Sequence, residues 1–345
     1  MNDTLKNETL NKPARFRMSN DAYINFFMLI VLLVFIAIAS FIVPSFLSAS
    51  TFMNILAQQS FLVIVGISVT FLLLTGNFDL SVGGVASCAG VLAVYFCQPI
   101  EASASALGMN NGFGMPVPLA VAMSLLVCLG IGVLNAVFIV RFKIASVIVT
   151  LGTMYIARGI ARGIAQGAQR SLGLPDSFSD AGLTSFGGIG LPVIIMLAAF
   201  AIALVVEKGT GFGRRMYHIG ANKTSAEISG IKVNKQMIQL YIMSAVVAGA
   251  AGIILASKFK QGSSYAADGF EFDALAATIL GGTSIRGGSG SVVGLMIGVF
   301  IFGSLSTCLN QLGLHPATQM VIKGIVLVIA VVVQQLIISR RNVRG

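Results

Sequence analysis

The sequence has no tryptophan, two histidines and four cysteines, and only 10% of its 345 residues are charged. Each shortage removes a class of function. His218 and His315 lie too far apart to suggest a metal site or a catalytic pair. Cys88, Cys97, Cys128 and Cys308 show neither metal-ligand spacing nor a disulfide framework, so they read as small hydrophobes. So low a charge content lies far outside the soluble globular range. No grouping of nucleophile, base and metal is apparent, which points away from an enzyme, from a catalytic residue and from a metal or other cofactor.

What is present is apolar. Hydrophobic residues make up 56% of the chain and mean hydropathy is +0.91. These values predict an all-α, polytopic membrane protein. Many of the 39 glycines fall within apolar runs, where small residues let helix backbones approach. A net charge of +10 could suggest nucleic acid in a soluble protein, but in a membrane protein the positive-inside rule accounts for it.

Apolar runs occur near 26–43, 53–75, 81–96, 118–140, 145–164, 191–206, 237–256, 292–312 and 317–338, with a shorter one at 272–280. Most approach the ~20 residues that an α-helix needs to cross ~30 Å of hydrocarbon. Ala37 and Ala39 form an A-x-A pattern, but the long polar lead and the later runs favour an uncleaved first helix. The basic lead and the tail with Arg340, Arg341 and Arg344 should both face the cytoplasm, which demands an even number of crossings. About ten spans result. The chain then divides into a cytoplasmic tail at 1–22, a first half of six spans at 23–206, a cytoplasmic coupling loop at 207–235, a second half of four spans at 236–338 and a tail at 339–345. This arrangement puts sixteen of the 22 Lys and Arg residues inside. Lys258 and Lys260 fall on the outer side, against the rule.

Two halves of opposed orientation are also suggested by Phe78-Asp79-Leu80, opening the third span, and Phe272-Asp273-Ala274, opening the eighth. Inverted repeats of this kind build pathways at their interface.

Three polar stretches interrupt the apolar pattern. TGNFDLSVGG at 75–84 is a turn whose Asp79 reads either as a cap for the following helix or, with Asn77 and Ser81, as the inner mouth of a polar pathway. The stretch 269–290 is a short helix broken by paired glycines, tolerated only against protein or a water-filled cavity. It is no phosphate-binding loop: Gly282 and Gly287 have the spacing, but Gly288 stands where a lysine is required. The third stretch, 207–235, holds six Lys and Arg against Glu207 and Glu227 and is expected to lie in water. Within it, Asn222 to Ser229 reads as a short amphipathic helix begun by an Asn cap and stopped by Gly230. Inside the spans, Arg158, Arg162 and Lys323 should face the bundle interior or snorkel, with Glu271 or Asp273 as partners for Lys323.

TGNFDLSVGG at 75–84, GRRMYHIGANKTSAEISGIKV at 213–233 and FEFDALAATILGGTSIRGGSG at 270–290 together resemble the permease subunits of bacterial ATP-binding-cassette (ABC) importers for monosaccharides, of the ribose, xylose, galactose and autoinducer-2 type. The resemblance implies two permeases paired in the inner membrane, a cytoplasmic ATPase and a periplasmic sugar-binding protein. It implies ATPase coupling through Gly220, Asn222, Ala226, Glu227, Ser229 and Gly230. It assigns the broken element to Asp273, Ala276, Gly281, Gly282 and Gly287, and likens Lys323 to a lysine of ribose-type members. The expected pathway residues are Asn77, Asp79, Ser81, Asp273, Gly281, Gly282 and Lys323. Where ribose-type members often carry Gly-Gly-Ile-Asp, this chain has Gly76-Asn77-Phe78-Asp79. The function expected is import of a monosaccharide or related polyol, with both termini cytoplasmic and membrane lipid as surroundings. An ion-coupled secondary transporter of a small polar solute is the alternative.

Overall fold

A computed structural model describes residues 20–99, 112–166, 169–171 and 173–342. The basic lead before residue 20 and Arg344 lie outside the described residues.

Helices cover all ten expected runs. They are α1 (Asn20–Ile42), α2 (Ala49–Leu74), α3 (Val82–Cys97), α4 (Val117–Ala136), α5 (Ser146–Ala165), α7 (Leu191–Leu204), α10 (Val233–Phe259), α11 (Phe270–Leu280), α12 (Val292–Gln311) and α13 (Pro316–Asn342). Between them lie three shorter helices, α6 (Asp176–Leu183), α8 (Gly211–Ala221) and α9 (Lys223–Ile228). One π-turn each extends α4 through Val137–Arg141 and α7 through Val205–Gly209. Sheet is limited, among the described residues, to two antiparallel pairs: β1 (Gln169–Arg170) with β4 (Gly262–Ser263), and β2 (Ser185–Phe186) with β3 (Ile189–Gly190).

Among the described residues, seven helices are long and apolar enough to cross a membrane: α1, α2, α4 and α5, with α7, α10 and α12. The chain is therefore a multi-pass membrane protein of the all-α class. Helix α3, with 16 residues, and the apolar part of α13, Pro316–Ile329, are shorter, and α11 has 11 residues.

Helix α3 is central. All of its residues except Tyr95 and Phe96 are buried, as expected of a helix apolar on every side. It packs against α4, α5 and α10. Glycine allows the closest of these approaches: a side chain at Gly252 of α10 would strike the backbone of Ala86. The four cysteines are buried and unpaired, as small hydrophobes should be.

Lys258, on the unfavourable side by charge counting, has a local solution. Its ammonium donates to the Ala57 carbonyl at 3.1 Å and lies 5.1 Å from the Phe61 ring centre. The charge thus finds an acceptor and a ring on α2. Lys260 is exposed and ends α10 in the left-handed conformation, with φ +52°.

Candidate functional site

The basic stretch 207–235 is not a loop held wholly in water, and the reason is Glu207. Its carboxylate is 3% exposed. One oxygen accepts from the Tyr217 hydroxyl at 2.8 Å and the other from the Val292 backbone N–H at 2.8 Å. It thus caps the start of α12 from a distant segment, at the end where the helix dipole favours negative charge. Helix α8, not foreseen in the sequence, buries Met216 and Ile219. The amphipathic helix that was foreseen is α9. Asn222 Oδ1 accepts from Ser225 N–H at 2.9 Å to cap it, and Gly230 follows it with φ +83°. Only Ala226 of this segment is buried. Asn222, Glu227, Ser229 and Gly230 are exposed, and Ile228 is 83% exposed.

The three polar stretches converge on one point. Gly220, near the end of α8, lies so close to the Leu74 carbonyl and the Gly288 nitrogen that a methyl there would collide with both. Gly288 N–H in turn donates to Leu74 O at 2.9 Å. A side chain at Gly287 would strike Gly76 at 2.6 Å and Gly220 at 3.0 Å. The Tyr217 hydroxyl also lies 2.8 Å from the Gly290 carbonyl. Segments 75–84, 213–233 and 269–290 therefore meet backbone to backbone, which only glycine permits.

From this junction α11 runs away to a second cluster. Gly281 ends α11, and Gly281 and Gly294 lie in mutual backbone contact between α11 and α12. Gly282 follows with φ +92°. These two glycines make the break and the packing. In the first turn of α11, Glu271 is 1% exposed and accepts from the Arg158 guanidinium of α5 at 2.8 Å. Arg158 also lies 3.3 Å from Asp268. Asp273 pairs instead with Lys323 of α13 at 3.2 Å, with side chains 30% and 25% exposed. Arg158 is thus turned inward, whereas Arg162 is exposed with its guanidinium 5.0 Å from the Tyr265 ring. Of the two partners foreseen for Lys323, Asp273 is the one it meets.

Asp79 and Ser81 do not line an open mouth. They are 2% and 0% exposed. Asp79 Oδ1 accepts from Ser81 N–H at 2.9 Å and from its hydroxyl at 2.6 Å, while Oδ2 accepts from the Ser244 hydroxyl of α10 at 2.6 Å. The Ser81 N–H lies one residue before α3, so Asp79 shapes the turn and does not cap the helix itself. Asn77 is half-buried and donates to the Thr75 carbonyl at 3.1 Å. Asn135 of α4 donates to the Ser81 hydroxyl and Thr153 of α5 to Asn135; sequence reading missed Ser244, Asn135 and Thr153 as members of this cluster, because isolated polar residues in apolar helices carry no spacing signal.

The family model for the branched-chain amino acid transport system/permease component matches residues 51–331. The chain is 34% identical over 331 residues to the ribose import permease protein of Haemophilus influenzae, covering 95% of this chain and 96% of that protein. It is 37% identical over 305 residues to the ribose import permease protein of Bacillus subtilis, covering 88% and 90%. It is also 32% identical over 323 residues to the galactose/methyl galactoside import permease protein of Escherichia coli, covering 91% and 94%. No solved structure matches it.

Proposed function

Because the chain belongs to the branched-chain amino acid transport system/permease component family, with sugar import permeases as nearly full-length relatives, we propose that it carries a monosaccharide inward as the permease of an ABC importer. It is a transport subunit and not an enzyme. The reading adds a cytoplasmic ATPase that binds and hydrolyses the ATP, a periplasmic sugar-binding protein and a second permease copy in the bacterial inner membrane. The termini and the α8–α9 segment face the cytoplasm, and the permease itself needs no cofactor or metal.

One observation carries this reading: the exposed α9 surface leads through α8 directly to the Gly76–Gly220–Gly287 junction. A partner that moves Asn222, Ala226, Glu227, Ser229 and Gly230 moves Gly220, and Gly220 cannot shift without the turn at 74–76 and the loop after α11. The pathway follows from cost. Charge exposed to hydrocarbon is expensive, yet Asp273, Lys323 and Arg162 remain partly or wholly exposed on α11, α13 and α5. This face is therefore assigned to a polar pathway, completed by the second copy.

The test is Ala226→Arg or Gly230→Arg in the complete complex. Sugar-stimulated ATP hydrolysis and uptake are lost while membrane insertion is kept. Uptake that survives ATP depletion but collapses with the proton gradient would point to an ion-coupled transporter instead.

A further inference from the structure

A single directed chain of hydrogen bonds crosses the interior from α5 to α10. The Thr153 hydroxyl of α5 donates to Asn135 Oδ1 of α4 at 2.7 Å, and Asn135 Nδ2 donates to the Ser81 hydroxyl at 3.1 Å. Ser81 donates onward to Asp79 Oδ1 at 2.6 Å, and Ser244 of α10 donates to Asp79 Oδ2 at 2.6 Å. All five residues are buried, none more than 6% exposed. Asp79 has no ion-pair partner among the described residues. The shortest bonds from both ends therefore run toward one carboxyl group, which accepts from two hydroxyls and a backbone N–H, while Ser244 Oγ also lies 3.3 Å from Ser68 Oγ. Bonds aligned in this way polarise and strengthen one another, and a member left unpaired loses its compensation for burial.

We infer that this buried chain is a positioning relay, by which Asp79 ties α10 to α5 so that movement of the α8–α9 segment reaches the wall of the pathway. The inference rests on the transport reading above. Helix α10 begins at Val233, shortly after α9 ends at Ile228, and Ser244 lies about three turns along it. Displacement of α9 is thus applied to Ser244 through a continuous helix. At the other end Thr153 stands two residues before Tyr155, which is 70% exposed on the outer face of α5. Between these ends, α10 and α5 can shift relative to each other only by moving the Asp79 turn or Asn135 of α4, or by breaking a bond in the chain. Spatial connection alone does not show coupling, so the test measures coupling itself.

The complete complex is reconstituted in liposomes, and ribose or galactose accumulated is measured against ATP hydrolysed. Accumulation by the wild type decides the transport reading before any variant is compared. Ser244→Ala and Thr153→Val, at opposite ends of the relay, are each expected to lower sugar delivered per ATP by about threefold or more, and the double variant by no more than the worse single one. Thr153→Ser, which keeps the hydroxyl, restores the ratio. Ser124→Ala is the control, since its buried hydroxyl bonds only within α4, to Ala120 O at 2.8 Å, and its ratio stays at the wild-type value. The relay is overturned if Thr153→Val keeps the wild-type ratio and loses only thermal stability, or if the losses at the two ends multiply.

Discussion

Gly220→Ala puts the junction of the three segments to a quantitative test. An added methyl would lie against the Leu74 carbonyl and the Gly288 nitrogen, closer than real contacts allow. Helix α8 must then retreat by roughly an ångström, an overpacking that costs about 1–3 kcal/mol. The retreat also opens the 2.9 Å bond from Gly288 to Leu74, worth about 0.5–1.5 kcal/mol net. Imposed on one conformation and relieved in the other, a penalty above about 1.4 kcal/mol shifts their ratio more than tenfold. The assay is sugar uptake by the reconstituted complex, with copurification of the ATPase measured in parallel. Uptake should fall roughly tenfold or more, on the same scale, while the permease still inserts. Gly130→Ala is the comparison: no atom lies within 4 Å of a methyl at this exposed position in α4, so Ala there should be neutral or stabilising by about 0.5–1 kcal/mol. Wild-type uptake by Gly220→Ala would refute the claim that transmission passes through this contact.

Two further predictions concern stability. Glu207→Ala removes the acceptor at the start of α12 and should lower permease stability by about 1.5–3 kcal/mol, read as a lower unfolding temperature in detergent. Glu207→Gln retains an oxygen for Val292 N–H and should recover more than half of that loss; equal losses would contradict the capping role. Arg158→Ala leaves Glu271, 1% exposed, as an unpaired buried acid and should cost about 3–5 kcal/mol. Lys323→Ala uncovers Asp273, already 30% exposed, and should cost only about 0–1 kcal/mol. Thermal unfolding of the two variants side by side would reveal any reversal of this order.

Apolar run length located the ten helices of the apolar runs, seven of them long and apolar enough to cross a membrane, because a helix that crosses a bilayer must be apolar over about 20 residues. It could not indicate which helix is innermost. Helix α3 differs little from its neighbours in hydropathy, and its central place follows from the contacts its small residues allow. The cap and stop of α9 were legible because Asn222 and Gly230 act on their immediate neighbours. Helix α8 was hidden by Arg214, Arg215 and four small residues, which obscured the buried Met216 and Ile219.

The sequence by itself determined that this chain spans a membrane, that it carries a basic segment containing a capped helix, and that it falls among the permeases, since each depends on composition or on residues close together in the chain. Only the tertiary structure decided the partners of Asp79, Glu207, Glu271 and Lys323. A buried polar group is satisfied by whatever folding brings to it, and although Ser81 and Tyr217 are near in the chain, each of these four residues also has a partner 50 to 165 positions away. No spacing rule reaches across such distances.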